Sequence, residues 1–208
     1  MSDLPIYPDN PMLRSSMQFA DLLSLRERDT APIWEKSDSI IAQMEGATAV
    51  FEARTILMEP AKAALLKAHS ILFAGQPGAG QLRTSRIAAR YRGQDCPDPE
   101  FVDRSLDNFF AWMGAEALAD IHPIEKAALV FTRIIDIWPF ESGNLTMAIV
   151  LANAFLKQAG LPPFFVLPEH LAEFEKVVAQ AVTIETQPLV NAIHRTLKRE
   201  LENSGYHR

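Results

Sequence analysis

The sequence predicts an all-α fold, a bundle of helices around one buried central helix. Three observations carry that expectation. Apolar residues recur at helical spacing along most of the 208 residues. Strictly alternating runs of β-branched residues are nearly absent. The segment LTMAIVLANAFLKQ, residues 145–158, is apolar nearly all round, as a helix enclosed by other helices must be.

The elements follow in order. A loose lead over 1–14 is followed by helical patterns at 15–28, at 33–45, which Gly46 interrupts, and at 47–57. Pro60 suits the first turn of the helix AKAALLKAHSILFA, where its missing N–H would have no partner in any case, and Gly75 stops that helix. The next stretch, GQPGAGQLRTSRIAARYRGQDCPDP, breaks the pattern, and its RIAARY core is the one place for a short β-hairpin or extended flap, near 82–92. Asp98 and Pro99 then cap a helix with Phe101, Val102, Leu106, Phe109, Phe110 and Met113 on one face. His122-Pro123 opens another, whose stripe of Ile124, Ala127, Ala128, Phe131, Ile134 and Ile135 continues to Trp138, expected to point inward. After the central helix, Gly160 and Leu-Pro-Pro end the run. Two helices follow at 168–182 and 188–203; the stripe Val190, Ile193, Leu197, Leu201 on the last fits either core or a dimer seam. The organisation expected is an N-terminal helical arm over 1–39, a core over 40–167 and C-terminal helices over 168–208 packed on it.

Composition excludes some function classes. Twenty Lys and Arg against 26 Asp and Glu give a net charge of -6, which supports neither nucleic acid nor an anionic membrane as a partner. The single Cys96 cannot form an intrachain disulfide or a thiolate metal site, and points to a reducing compartment. MSDLPIYPDNPMLRSS lacks the pattern of a signal peptide, and MAIVLANAFL is about half the ~20 residues that span a bilayer. The expectation is a cytoplasmic protein. His69, on the apolar side of its helix, reads as a hydrogen-bonded core histidine; the other four lack metal-ligand spacing, and no metal site is expected.

The loop Trp138-Pro139-Phe140-Glu141-Ser142-Gly143-Asn144 enters the central helix, whose first N–H groups need partners. Two readings stand. Ser142 or Asn144 caps the helix while Gly143 supplies a permissive backbone angle. Alternatively, Ser142, Gly143 and Asn144 form an anion site, where N–H groups and the positive end of the helix dipole attract phosphate.

WPFESGNLTMAI resembles the signature of the Fic family (the Fic/Doc or Fido fold), His-x-Phe-x-(Asp/Glu)-Gly-Asn-(Gly/Lys)-Arg-x-x-Arg. The likeness extends upstream through IHPIEKAALVFTRIIDIWPF and downstream through LTMAIVLANAFLKQAGLPPF. LLKAHSILFAG and GAGQLRTSRIAARYRG resemble the family's helix and its flap, so the resemblance covers roughly 40–167. It implies protein adenylyl transfer: the His as base, the acidic residue holding Mg²⁺ on ATP, the Gly-Asn-Gly backbone cradling phosphates, and arginines neutralising them. On that alignment Pro139, Phe140, Gly143 and Asn144 remain, while Trp138 stands for the His, Ser142 for the acidic residue, Leu145 for the second Gly, and Thr146 and Ile149 for the arginines.

Indole carries one N–H donor and no basic nitrogen, so no catalytic residue is assigned and ordinary adenylyl transfer is expected to be absent or very weak. Glu141 lies one residue early for the metal ligand, and its side chain is expected to point elsewhere. The resemblance also places flap arginines, Arg83, Arg86 and Arg90, with Arg92 beside them, near a nucleotide pocket; they read either as a substitute cation or as a solvated surface. Glu45-Gly46 resembles the family's inhibitory motif, although the residue it would pair with is Ile149. ATP and Mg²⁺ are thus implied by resemblance alone. The leading expectation is a non-catalytic module binding a nucleotide-like ligand or a protein partner; a divergent transferase and a structural role in a homo-oligomer are the alternatives.

Overall fold

The computed structural model describes residues 53, 56–57, 61–87, 96–114, 121–164, 166, 171–183 and 185–204. Among them are six helices: α1 (Lys62–Leu72), α2 (Pro99–Met113), α3 (Pro123–Ile137), α4 (Asn144–Gln158), α5 (Leu171–Thr183) and α6 (Gln187–Ser204). No strand occurs among the described residues; residues 81–87 run without a ladder, and the rest of the expected hairpin, with Arg90 and Arg92, lies outside them. The helical patterns at 15–28 and 33–45, Glu45, Gly46 and Pro60 also lie outside the described residues, while of the 47–57 pattern Ala53 and Leu57 are buried and joined by a backbone bond of 3.1 Å.

Helix α4 is the central one. Met147, Ala148, Val150, Leu151, Ala152, Ala154, Phe155 and Leu156 are all buried, which accounts for the absence of a polar face. Its principal neighbour is α3, and α1 touches it too. Helices α5 and α6 pair with each other and with α3, while α2 packs on α3 and α1. The stripe Val190, Ile193, Leu197 and Leu201 is buried within the chain, so it serves as core rather than as an open dimer seam.

Proline opens α2 and α3 at the expected places, with Asp98 and His122 at the N-cap positions. Neither side chain caps. The Asp98 carboxylate instead pairs with Arg86 at 2.9 Å, a flap contact that the local pattern does not encode. On α2, Val102, Leu106 and Phe109 are buried while Phe101 is 42% exposed, against the expectation of a core position. The buried face is centred on 102, 106 and 109, and residue 101 falls about 100° away from 102 on a 3.6-residue helix, beside Arg104.

Gly160 ends α4 in a left-handed turn, its φ being 70°. The Leu161 N–H reaches the Leu156 carbonyl at 2.9 Å and the Gly160 N–H reaches Lys157 at 2.9 Å, the paired bonds of a Schellman stop. Beyond it, Phe164 meets Phe131 and Phe174 at centroid distances of 6.5 and 6.2 Å, tying α3, the tail of α4 and α5 into one aromatic cluster. The Asn153 side chain holds the backbone of Phe164 from both sides, donating to its carbonyl at 2.8 Å and accepting its N–H at 2.9 Å.

Truncating the centre of this core, Leu151→Ala, is expected to cost about 2–5 kcal/mol in urea denaturation. Phe101→Ala, on the exposed side of α2, is expected to stay within about 0.5 kcal/mol of wild type, because little apolar surface leaves a packed environment there.

Candidate functional site

Helix α3 ends in an unusual way. Trp138 adopts φ 48° and ψ 63°, a left-handed conformation at a non-glycine residue, which costs roughly 1–2 kcal/mol against the ordinary one. Its N–H still bonds to Ile134 at 2.9 Å, and its carbonyl accepts the Arg83 Nε–H at 2.7 Å. The indole packs against the core but is only partly buried, so the inward placement holds in part.

Arg83 is the staple of this region. It is 2% exposed, and its guanidinium donates to three carbonyls: Trp138, Ser85 at 2.9 Å, and Pro97. Its N–H adds a bond to the Pro139 carbonyl at 2.9 Å. The solvated-surface reading of Arg83 is therefore corrected. A planar fork of five donors can join three chain segments at one point, and here it joins the flap, the end of α3 and the entrance to α2. Arg86 is solvated, its side chain 81% exposed and paired with Asp98.

The second half of the loop closes on itself. Asn144 donates to the Phe140 carbonyl at 2.8 Å and accepts the Phe140 N–H at 2.9 Å, fully buried. Neither Ser142 nor Asn144 caps α4, which overturns the capping reading; Asn144 lies inside the first turn and its amide reaches backward. Gly143 does take the left-handed angle expected of it, φ 76°. A Cβ there would come within 2.2 to 2.9 Å of the far end of the Phe73 ring, so Phe73 packs against the glycine and covers that side of the helix entrance. The first turn of α4 carries no acidic residue and no side-chain cap.

His69 supports the loop from α1. Its ring stacks on Phe140 at 3.8 Å with the planes 9° apart, and Phe73 stands at 4.6 Å. Nδ1 accepts the Gly80 N–H at 2.9 Å, so Nε2 carries the proton and donates to the Ser142 carbonyl at 3.2 Å. Burial pushes its pKa below the ordinary histidine value. The reading as a hydrogen-bonded core histidine agrees with this geometry.

Glu141 points away from α4, as its position one residue early suggested. One carboxylate oxygen accepts the N–H groups of Thr84 and Ser85 at 3.0 and 3.1 Å, and the other accepts the Ser85 hydroxyl at 2.6 Å. The Ser85 hydroxyl and these two amides hold its pKa below the usual carboxylate value. The loop's one carboxylate is not offered to Mg²⁺, because both Glu141 oxygens accept bonds from the flap, and Ser142 alone supplies no charge to balance the ion. Among the described residues no group of three His, Cys, Asp or Glu could hold a metal ion. Thr146 and Ile149 sit partly buried on α4, and neither carries a charge.

The structure thus gathers Trp138, Phe140, Gly143 and Asn144 with Arg83 at one turn, and sends Arg86 outward. Sequence reasoning missed Phe73 as a cover and Glu141 as a flap anchor. An acidic residue opposite two consecutive flap amides has no signal in linear spacing.

Comparisons with known proteins agree with this framework. Residues 60–156 match the model of the Fic/DOC family. Protein adenylyltransferase fic-1 of Caenorhabditis elegans is 30% identical over 116 residues, which cover 55% of this chain and 22% of that protein. The solved structure of C. elegans Fic-1, residues 134–508, superposes with a TM-score of 0.74 at 18% identity, covering 95% of this chain and 77% of that one. A Fic-domain signaling protein of Bacteroides thetaiotaomicron gives 0.67 at 17% identity, over 95% of this chain and 90% of that one. The chain spans 22% to 29% of the length of the first two curated relatives it matches, so it is related to protein adenylyltransferases over a fraction of their length. No helix among the described residues is long and apolar enough to cross a membrane.

Arg83→Met keeps the apolar stem and removes the fork. It is expected to lower stability by about 2–3 kcal/mol in urea, because partly buried carbonyls lose a charged donor. Gly143→Ala is expected to destabilise through both its positive φ and its collision with Phe73. In the double variant with Phe73→Ala, a double-mutant cycle should return a favourable coupling above about 0.5 kcal/mol, the scale seen for residues in contact.

Proposed function

We propose that this chain is a Fic module that binds without transferring, with the loop 138–144 and the flap acting as a recognition surface for a nucleotide-like ligand or a protein partner. One observation carries the reading: the ionisable and amide side chains that the loop region could offer to a substrate are already engaged by the protein itself. Arg83 is bonded to three carbonyls, both oxygens of Glu141 to the flap, both nitrogens of His69 to Gly80 and Ser142, and Asn144 to Phe140. A base from outside the motif would have to be titratable and within about 3 Å of its proton, and His69 is held in a tautomer with neither nitrogen open. The departures from the family signature at Trp138, Ser142, Thr146 and Ile149 point the same way, since loss of a general base alone typically costs about 10²–10⁴ in rate.

The flap adds to this. The amides of Arg83, Thr84 and Ser85 are bonded to Pro139 and Glu141, so an incoming extended peptide finds three successive donors occupied. A divergent transferase is the second reading, favoured by the uncapped first turn of α4. The single cysteine fits a cytoplasmic setting.

Incubation with labelled ATP and the other nucleoside triphosphates, alongside calorimetric titration of the same preparation, tests the proposal. The expected result is no label on the chain or on lysate proteins. Incorporated label above a heat-denatured control overturns it in favour of the transferase. Saturable heat without label identifies a nucleotide-like ligand, and its absence directs the search to a protein partner.

A further inference from the structure

We propose that His69 is a proton-operated latch at the root of the flap, closed while its imidazole is neutral and released at Gly80 when it is protonated. The inference concerns opening of the loop and flap, and stands apart from whether the site transfers or only binds.

The geometry supplies the switch. Closed, the ring uses one acceptor and one donor: Nδ1 takes the Gly80 N–H at 2.9 Å and Nε2 gives its proton to the Ser142 carbonyl at 3.2 Å. A second proton can add only at Nδ1, where it faces the Gly80 N–H, donor against donor. The Nε2 bond survives that change, but the Gly80 bond does not.

Gly80 has no room to adjust in place. Its Cα packs so close to α1 that a Cβ would stand 2.7 Å from the Ser70 Cβ and 3.2 Å from the Leu66 carbonyl. The Phe140 ring stacked at 3.8 Å likewise keeps the imidazole from tilting aside. Relief comes by moving residues 75–80 outward, and the flap starts at the next residue.

No described charge balances a His69 cation. On α1, Lys62 pairs with Asp103 and Asp107, leaving Lys67 as the other ionisable group near His69 on that helix. Residues 75–80 contain no ionisable group, and the first turn of α4 no acidic one. On the flap, Arg83 faces carbonyls and Arg86 faces Asp98. In the loop, Glu141 is turned to Thr84 and Ser85. Burial therefore lowers the pKa of His69 from 6.5. With the closed value below the open one, the latch is at full strength above 6.5, and its contribution is lost as the pH falls through the closed-state value.

Amide hydrogen exchange by NMR on the full chain from pH 7.5 to 5.0, corrected for intrinsic rates, tests this. The opening constant at Gly80 and Gln81 should rise by a factor approaching about tenfold per pH unit below 6.5, levelling where His69 titrates in the closed state. Amides in α3 and α4 should not follow. His69→Gln, which can still accept and donate but does not titrate, should abolish the rise. A pH-independent Gly80 amide, an equal rise throughout α3 and α4, or an undiminished rise in His69→Gln each overturns the proposal. Should that variant fail to fold, the ring nitrogens of the wild-type chain decide: a His69 midpoint that departs from the levelling of Gly80 opening refutes the latch, and coincidence supports it.

Discussion

The paired hydrogen bonds between Asn144 and the backbone of Phe140 are the constraint on which the rest of the site depends. Helices α3 and α4 are the two most deeply buried elements, and the chain must reverse between them in six residues without stranding polar backbone in the core. An amide side chain is suited to this because it presents one donor and one acceptor to the same peptide segment. Once Asn144 fixes Phe140, the ring becomes the platform on which His69 stacks, and Gly143 is brought beneath Phe73. A second asparagine, Asn153, repeats the device on Phe164 nine residues later, half a helical rotation away. The central helix is thus pinned on opposite sides by the same chemistry.

The other end of the loop is held by charge. Trp138 sits in a left-handed conformation where glycine would be comfortable, and the strain is offset by the Arg83 bond to its carbonyl together with the packing of the indole. The same guanidinium reaches Ser85 and Pro97, so the loop, the flap and the entrance to α2 form one connected unit. Glu141 adds a second tie between loop and flap. These ties engage Arg83, Glu141 and Asn144 with the protein's own backbone. The family relationship and the non-transferring reading are consistent for that reason: a framework that positions a loop at a helix entrance persists independently of the groups that act there.

The sequence made some features readable and hid others. The 3.6-residue stripe from Ile124 to Ile135 and the apolar run after Asn144 fixed both central helices, because burial imposes a period that composition cannot imitate. Gly160 announced its Schellman stop, since only glycine takes that angle without cost. Phe101 misled, because one residue of offset turns a side chain by about 100° and no linear pattern says where the buried face is centred. Asp98 and Ser142 have the residue type of caps, but a tertiary partner claims the first and the turn geometry bypasses the second.

What the sequence determined by itself is the all-α class, the order of the helices from Lys62 onward, the glycine at the entrance to α4 and the chemical character of each motif position, among them an indole where the resemblance puts a base. Those are local properties, set by residue chemistry and by periodicity along one helix. Only the tertiary structure decided how the side chains are engaged: that Arg83 is a buried staple, that Glu141 faces the flap, that His69 has both nitrogens occupied and that Phe73 covers Gly143. Apart from the Arg83 bond to Ser85, each of those pairs joins residues more than ten positions apart, and such a contact depends on where two groups meet in space, which spacing along the chain does not encode.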